Sequence, residues 1–296
     1  MPELPEVETI VRQLHRKARG VRITDIWRDS PKTIKGIGEK EFRRGITGGK
    51  ITGVRRRAKY ILVDLNNGKT IAVHQKISGH LLYGKWKEAE KGSKEKWVSA
   101  QSGPLANDPN NRYIRFIFFL NNGFMLALSD LRRFARIYLG STDKIENISD
   151  IGKLGSEPLD KSFTLEYFLK LLGKKRGAIK KVLMDQYVIS GIGNIYSDEI
   201  LWHAGVHPLA RVEKLSKEKL AGIYKFTEKV LLEAIKAKGT SESDYRMLNG
   251  EKGGYQFLEK AYHQTGKKCA KKDGGVISRL RLNGRSAHFC PVHQKK

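Results

Sequence analysis

The sequence has 296 residues, of which 39% are hydrophobic, so the chain is long enough for two or three small domains with ordinary cores. Lysine and arginine number 57 and aspartate and glutamate 31; the resulting formal charge of +26 favours a polyanionic partner, usually nucleic acid. No apolar run approaches membrane-spanning length, the N-terminus lacks a signal-peptide pattern and two cysteines cannot build a disulfide scaffold, so we expect an intracellular, cytoplasmic protein with no membrane partner.

The first predicted element is an amphipathic helix from about residue 5 to residue 19. Apolar residues recur at helical spacing from Val7 to Ala18, and Gly20 follows as a C-cap. Pro5 suits the first helical position and Glu6 the first turn.

Short runs with strand character fill residues 21–139, and turns containing Asn-Asn-Gly separate several of them. This pattern of short strands and turns predicts an antiparallel β-sandwich with the first helix packed against it. Residues 85–112 are polar and lysine-rich and are expected to form a loop or insertion. The clearest strand candidates are Tyr60–Leu65, Thr70–Val73, Tyr113–Phe119 and Phe124–Leu128.

The second half of the chain is predicted to be helical up to residue 238. A polar stretch at 141–150 is expected to be a hinge, and from residue 239 glycine-rich loops lead to a basic hairpin that holds both cysteines. The fold class is therefore α+β. The candidate helices are Thr164–Leu172, Ala178–Asp185, Asn194–Ala204 and Lys217–Lys236.

The N-terminus carries a candidate nucleophile. Methionine before a small residue is normally trimmed, which would leave Pro2 with a free secondary amine. The adduct of such an amine with an aldehyde-level carbon is an iminium ion, an electron sink suited to elimination chemistry. Glu3 beside it is a potential proton carrier.

A glycine-rich run at residues 185–199 joins two predicted helices. Its glycines let backbone N–H groups converge into an anion-binding concavity, and the following helix N-terminus adds partial positive charge. Asn194, at the start of that helix, can either cap it or donate to a phosphate.

Six ordered blocks of the sequence resemble the formamidopyrimidine-DNA glycosylase family, whose members excise oxidised bases. The resemblance implies a catalytic β-sandwich domain over 2–140, a hinge over 141–150, a helix–two-turn–helix domain over 151–238, and a lesion-recognition loop with a zinc-finger-like hairpin over 239–296. The blocks are PELPEVET at 2–9, HQKISG at 74–79, DLRRF at 130–134, LGSEPL at 154–159, GIGNIY at 191–196 and NGRSAHF at 283–289.

The resemblance implies a catalytic role for three residues. Pro2 would be the nucleophile, Glu3 would shuttle protons, and Lys59 would contact the phosphates around the lesion and assist catalysis. Glu6 and Glu157 would support the lesion pocket. Without the resemblance, the basic run that ends at Lys59 would be interpreted as a solvated edge that protects the sheet.

Four further residues are assigned DNA contacts by the resemblance. His74 would contact a phosphate, and Ile77, which replaces the family's methionine, would wedge into the space left by the extruded base. Arg132 would hydrogen-bond the orphaned base and Phe134 would insert into the stack. The competing interpretations are an ordinary strand-end histidine and a basic strand end with a core aromatic.

Two more phosphate contacts follow from the same likeness. Asn194 would bind a backbone phosphate of the lesion strand. Arg285, at the tip of the C-terminal hairpin, would bind the phosphate at the lesion. The glycine-rich stretch from 239 to 255 would close over a flipped base; a floppy linker is the alternative.

The C-terminal hairpin departs from the family pattern of two Cys-x-x-Cys pairs. Cys290 and His293 keep the spacing of one pair, Cys269 supplies a third ligand, and Asp273 has the usual separation from Cys290. Because zinc accepts sulfur, nitrogen and oxygen ligands, one structural zinc ion at these four residues is expected. The alternative is a zincless hairpin with two free thiols.

The resemblance, which extends over nearly the whole chain, implies a bifunctional DNA glycosylase/AP lyase of base excision repair. We expect it to remove 8-oxoguanine and formamidopyrimidines through a Schiff base on Pro2, followed by β- and δ-elimination. Its partner would be double-stranded DNA with oxidised bases or abasic sites, bound by a monomer. The alternatives are an endonuclease VIII-like enzyme for oxidised pyrimidines and a non-catalytic binder of damaged DNA.

Overall fold

A computed structural model describes residues 1–242 and 244–295 of the chain. They form two compact units. The first contains Met1–Gly152 together with Ala237–Gly254, and the second contains Lys153–Lys236 and the chain from Tyr255 onward. The antiparallel sandwich, the helical second half and the C-terminal hairpin confirm the predicted α+β fold.

The first unit is a β-sandwich. Its strands, within the described ranges, are β1 (Ile23–Arg28), β2 (Ile51–Arg57), β3 (Tyr60–Leu65), β4 (Lys69–His74), β5 (Gly79–Gly84), β6 (Trp86–Glu88), β7 (Trp97–Ser99), β8 (Ile114–Leu120), β9 (Met125–Asp130) and β10 (Arg136–Ser141). One antiparallel sheet has the order β1-β8-β9-β5 and the other β10-β4-β3-β2. Apolar side chains from both sheets, including Phe116 and Ile61, meet in one buried core.

Helix α1 (Leu4–Ala18) closes this core. Its start is fixed by a capping box, in which the Glu3 carboxylate accepts the third helical N–H and the Glu6 carboxylate accepts the N–H of Glu3. Val7 and Leu14 on its apolar face are fully buried. The helix therefore holds the N-terminus of the chain in one place.

Three parts of the first unit were not foreseen. Helix α2 (Glu39–Ile46) packs Phe42 into the core. The insertion at 85–112, expected to be a loop, contains the β6–β7 hairpin and the short helix α3 (Pro104–Asn107). The stretch expected to be a hinge holds a 3-10 turn and the start of helix α4 (Ser149–Gly152), and it belongs to the first unit; its role as a hinge stays a prediction.

The second unit is helical. Its helices are α5 (Leu165–Gly173), α6 (Ile179–Met184), α7 (Asn194–Ala204) and α8 (Lys217–Lys236), and the prediction located the last two without error. The other two begin one residue later than expected because Thr164 and Ala178 act as N-caps; the Thr164 hydroxyl accepts the Tyr167 N–H at 3.2 Å.

A two-stranded hairpin of β11 (Ser278–Leu282) and β12 (Arg285–Phe289) ends the second unit. Asn283 and Gly284 at its tip both have positive φ, 48° and 78°, as a type I′ turn requires. Among the described residues, no helix is long and apolar enough to cross a membrane.

Candidate functional site

The N-terminal turn is a buried cluster of charged groups. Glu3 and Glu6 are only 2% and 1% exposed. One oxygen of the Glu6 carboxylate accepts the Glu3 N–H at 2.8 Å, and the other accepts the Thr240 N–H at 2.8 Å. A Cβ on Gly239, which has a φ of +78°, would lie 2.7 Å from Glu6, so glycine is required there. Glu6 therefore links the start of α1 to the segment Ala237–Gly254.

The terminal amine shares this environment with Lys59. Burial lowers the pKa of the Met1 amine below its ordinary value, and Lys59 acts in the same direction. The carboxylates of Glu3, Glu6 and Asp244 oppose that shift. A lowered pKa leaves more of the amine unprotonated at neutral pH and therefore nucleophilic.

Lys59 is positioned by a tight turn. Ala58 and Lys59 form the two-residue connection between β2 and β3, and Ala58 adopts a left-handed φ of 52°. Lys59 is only 5% exposed, so it is not the solvated edge cation of the competing interpretation. The turn holds the lysine on the same side of the first unit as the amine that its charge influences.

His74 is held as a neutral hydrogen-bond donor. Its Nδ1 accepts the Lys76 N–H at 2.9 Å, so the proton of the neutral ring is on Nε2. Burial, aided by Lys76, Lys59 and Arg136, lowers the pKa of His74 well below its ordinary value. The ring also packs edge-on against Tyr60, which fixes its orientation.

Two loops of the first unit present exposed apolar side chains. Ile77 is 38% exposed and Phe134 is 52% exposed, so Phe134 is not a core aromatic. The buried Asp130 joins the loops: one carboxylate oxygen accepts the Ser78 hydroxyl at 2.6 Å and the other accepts the Ala135 N–H at 2.8 Å. The backbone N–H of Arg132 donates to the Ser78 hydroxyl oxygen at 3.1 Å.

Asp130 and Ser78 appear in the sequence motifs, but the motifs do not reveal that these two residues join the two loops by hydrogen bonds. An Asp at a strand end can accept the backbone N–H two residues later in an Asx turn. This signal could have indicated that the Asp130 carboxylate organises the loop at Arg132. The bridge between the two loops is a long-range contact that local patterns do not contain.

In the second unit, Asn194 is the first residue of α7 and does not cap it; the N-cap position belongs to Gly193. Its side-chain oxygen is buried and has no hydrogen-bond partner among the described residues. The capping interpretation is therefore wrong. Gln186 braces the preceding turn, accepting the Gly191 N–H and donating to the Ile192 carbonyl.

Glu157 lies half-buried in the second unit, next to the bridge that pairs Ser156 with Ile189. A Cβ on Gly155 would come within 2.4 Å of the Val188 carbonyl oxygen, so the two segments approach closely. The LGSEPL block is therefore packed against the turn before α7.

Arg285 is exposed at the start of β12 and lines a cavity of about 270 Å³ with Lys180, Lys181 and Asp185. Beneath it, the buried Lys180 ammonium pairs with Asp198 at 2.6 Å and donates to the Ser286 carbonyl at 2.7 Å. This buried pair ties the hairpin to α6 and α7 and so fixes the base of Arg285.

Cys269, Asp273, Cys290 and His293 meet in the second unit, with one donor atom from each lying within 4.8 Å of the others. His293 Nε2 is 3.1 Å from the Trp202 carbonyl, which can only accept, so this nitrogen carries a proton. In the neutral ring Nδ1 then presents a lone pair, 2.5 Å from an Asp273 oxygen and 3.7 Å from the Cys269 sulfur.

A cation would relieve the convergence of these lone pairs, and two sulfurs, one nitrogen and one oxygen form a donor set that zinc accepts. A Cβ on Gly275 would lie 2.3 Å from the Cys290 sulfur, so only glycine lets the backbone pass this close to the cluster. The four residues therefore fit a metal ion.

Two family models match the chain: the formamidopyrimidine-DNA glycosylase N-terminal domain over residues 1–137 and the formamidopyrimidine-DNA glycosylase H2TH domain over residues 154–245. The formamidopyrimidine-DNA glycosylases of Pelotomaculum thermopropionicum and Carboxydothermus hydrogenoformans are 37% and 36% identical to it over 295 residues. These alignments cover 100% of the chain and 99% and 100% of the relatives.

Solved structures agree with the family models. The Lactococcus lactis Fpg in complex with DNA containing an abasic site superposes with a TM-score of 0.85 at 29% identity, covering 99% of this chain and 100% of that one. A mutant of the same protein bound to Fapy-dG DNA gives a TM-score of 0.85 at 29% identity, with both chains fully covered.

Proposed function

The chain belongs to the formamidopyrimidine-DNA glycosylase family, and from that premise we propose that it is a bifunctional glycosylase/AP lyase that removes oxidised purines from double-stranded DNA. The observation that carries the proposal is the position of Pro2, which is buried directly before α1, with the buried carboxylates of Glu3 and Glu6 next to it and the buried Lys59 near enough to act on the terminal amine. The charge of +26 suits a DNA partner. The enzyme acts as a monomer in the compartment that holds the DNA.

The first step is nucleophilic. After removal of Met1, the nitrogen of Pro2 attacks C1′ of the flipped nucleotide and forms a new C–N bond. The bond from C1′ to the base breaks, and the base leaves with the electron pair and takes up a proton. The buried Glu3 carboxylate, at the N-cap of α1, moves protons at the sugar.

Strand cleavage follows from the iminium ion that forms when the sugar ring opens. Loss of a proton from C2′ expels the phosphate on the 3′ side, and loss of the C4′ proton expels the phosphate on the 5′ side. The positive nitrogen draws electrons from both C–H bonds, so no redox cofactor is required. The result is a gap flanked by two phosphates.

DNA backbone contacts are divided between the units. In the first unit, Lys59 supplies a buried cation and His74 a neutral N–H donor to phosphates around the lesion. In the second unit, the side-chain amide N–H of Asn194 and the guanidinium of Arg285 donate to phosphates, supported by the position of Asn194 at the start of α7 and by the exposure of Arg285. The Glu6 carboxylate of the first unit supports binding of the damaged base, and the Glu157 carboxylate of the second unit is assigned the same role.

The two loops joined by Asp130 fill the space left by the flipped nucleotide. Their exposed apolar residues, Ile77 and Phe134, suit insertion into a base stack. The guanidinium of Arg132 hydrogen-bonds the acceptor atoms of the orphaned base. Cytosine and adenine differ in the arrangement of these acceptors.

Arg132→Ala is expected to abolish a preference for 8-oxoguanine opposite cytosine over 8-oxoguanine opposite adenine. A directional contact to a base edge discriminates by about 1–3 kcal/mol, so the preference should fall at least about fivefold. The measurement is the single-turnover rate on the two duplexes. Arg133→Ala is the matched control, because Arg133 pairs with Asp29 at 3.2 Å. Equal rates for both pairs in the unsubstituted enzyme would remove Arg132 from this role.

Cys269, Asp273, Cys290 and His293 would hold one structural zinc ion. When bound, zinc cross-links the two arms that lead into the β11–β12 hairpin and takes no part in the chemistry. Its role is to keep the hairpin folded, so that Arg285 projects from a rigid tip.

Cleavage of a duplex with a single 8-oxoguanine tests the whole proposal. The expected product is a one-nucleotide gap with phosphate on both sides. A strong preference for oxidised pyrimidines would indicate the endonuclease VIII-like branch instead. Tight binding of damaged duplex without any cleavage would indicate a non-catalytic binder.

A further inference from the structure

The insertion at 85–112 has a core of its own. Trp86, Trp97 and Leu105 pack on Leu82 and Ile117, which project from the sheet face opposite the main core. This packing makes the insertion a fixed part of the sandwich. The residues that follow α3 are consequently held in place, and they end in the 3-10 turn Pro109–Arg112.

Asp108 uses its two carboxylate oxygens for different purposes. Oδ1 accepts the Asn110 N–H at 2.9 Å and caps the 3-10 turn. Oδ2 accepts from Nε of Arg246 at 2.6 Å. Burial opposes ionisation, but the bonds from Arg246 and Asn110 lower the pKa of Asp108 below its ordinary value. Arg246 is 3% exposed and lies in Ala237–Gly254.

Asn111 makes a second contact with the same segment. Its Oδ1 accepts from Nε2 of the buried His80 at 3.1 Å, which fixes the amide. Its Nδ2 then donates to the carbonyls of Pro104 at 2.7 Å and Gly250 at 3.3 Å. Gly250 has a φ of +83°, and a Cβ there would lie 2.7 Å from Asn111 Nδ2. Only glycine allows this approach.

The segment is also held by the core. Tyr245, Met247 and Leu248 are buried among the apolar side chains of the sandwich, and the Leu248 carbonyl accepts the Tyr83 N–H at 2.7 Å. These contacts place 245–250 on the first unit, beside the Glu6 carboxylate that binds Thr240. They contradict the interpretation of this half of the segment as a floppy linker.

We propose that the insertion at 85–112 is a docking platform for Ala237–Gly254, and that Asp108, Asn111, Arg246 and Gly250 are positioning residues for excision of the damaged base. The proposal rests on the proposed function. Holding residues 245–250 in advance lowers the entropy that must be lost when the first unit binds a flipped base. An abasic site presents no base, so its cleavage does not need this binding step.

The first test measures how firmly residues 245–250 are held on the first unit, and it does not depend on activity. Asp108→Asn keeps an oxygen for the cap and removes the charge that faces Arg246. Hydrogen exchange of the amides at 245–250 should speed up by roughly tenfold in Asp108→Asn and in Gly250→Ala. Glu95→Gln is the matched control, since Glu95 pairs with Arg112 inside the insertion at 3.5 Å. Unchanged exchange in both variants would overturn the proposal.

The second test compares two substrates. In both variants kcat for 8-oxoguanine excision should fall by roughly tenfold, with KM little changed because phosphate contacts dominate binding. Cleavage of a preformed abasic site should stay within about twofold. Combining Asp108→Asn with Arg246→Gln should cost no more than either change alone. Equal losses on both substrates would show a general structural role and refute the assignment. A parent enzyme that cuts neither substrate would refute the proposed function and leave the exchange test standing.

Discussion

Pro2→Gly is expected to lower the rate of strand cleavage at 8-oxoguanine by about a hundredfold or more. Glycine keeps a terminal amine and still permits removal of Met1, but it replaces a secondary amine fixed by its ring with a freely rotating primary amine. Misplacement of a reacting atom by about 1 Å is enough for a loss of this size. The rate is measured under single-turnover conditions on a duplex with one lesion.

Borohydride identifies the atom responsible. It should freeze a covalent protein–DNA adduct, and peptide mapping should locate that adduct at residue 2. Pro31→Gly, at an exposed proline in another turn, is the matched control and should cut and cross-link as the parent enzyme does. Full cleavage of abasic DNA by protein with a blocked N-terminus would disprove catalysis by the terminal amine.

Cys290→Ser is expected to remove both the bound zinc and DNA cleavage. Zinc at structural sites of this kind contributes on the order of 10 kcal/mol to folding. The fully buried Cys290 stands where β12 ends, so its loss should disorder the hairpin that carries Arg285. Elemental analysis of protein purified without chelator should give about one zinc per chain for the parent and almost none for the variant.

Thermal melting gives a second readout for the metal. Chelator should lower the melting temperature of the parent protein and leave that of Cys290→Ser unchanged. His263→Ala is the control, because His263 lies outside the four-residue cluster. Metal-free parent protein with full activity would mean that packing and the Lys180–Asp198 pair position the hairpin without zinc.

Periodic patterns allowed much of the fold to be predicted. Helix α7 runs from Asn194 to Ala204 as expected, because glycines mark both of its ends: a glycine turn precedes it, and Gly205, with a left-handed φ of 64°, ends it. The insertion was misjudged because Trp86 and Trp97 lie among lysines and their partners are distant in sequence. Local composition therefore indicated a loop where tertiary packing produces structure.

In the candidate site, too, local motifs could be recognised from the sequence, whereas long-range contacts could not. Motifs indicated Pro2 and Arg285, since each lies in a block whose residue order is distinctive, and the resemblance to the family indicated Lys59. The bond from Glu6 to Thr240 joins residues 234 positions apart, and no local pattern contains it. The same reason hid the pairing of Asp108 with Arg246.

The sandwich is encoded in two separate stretches, Met1–Gly152 and Ala237–Gly254. Its core stays incomplete during synthesis until Tyr245, Met247 and Leu248 have left the ribosome, long after the strands have been made. The helices encoded between the two stretches can meanwhile form by local contacts. A cut at the start of the helical region would therefore not release an intact N-terminal fragment, and dissection of this protein must keep residues 237–254 attached to the first 152.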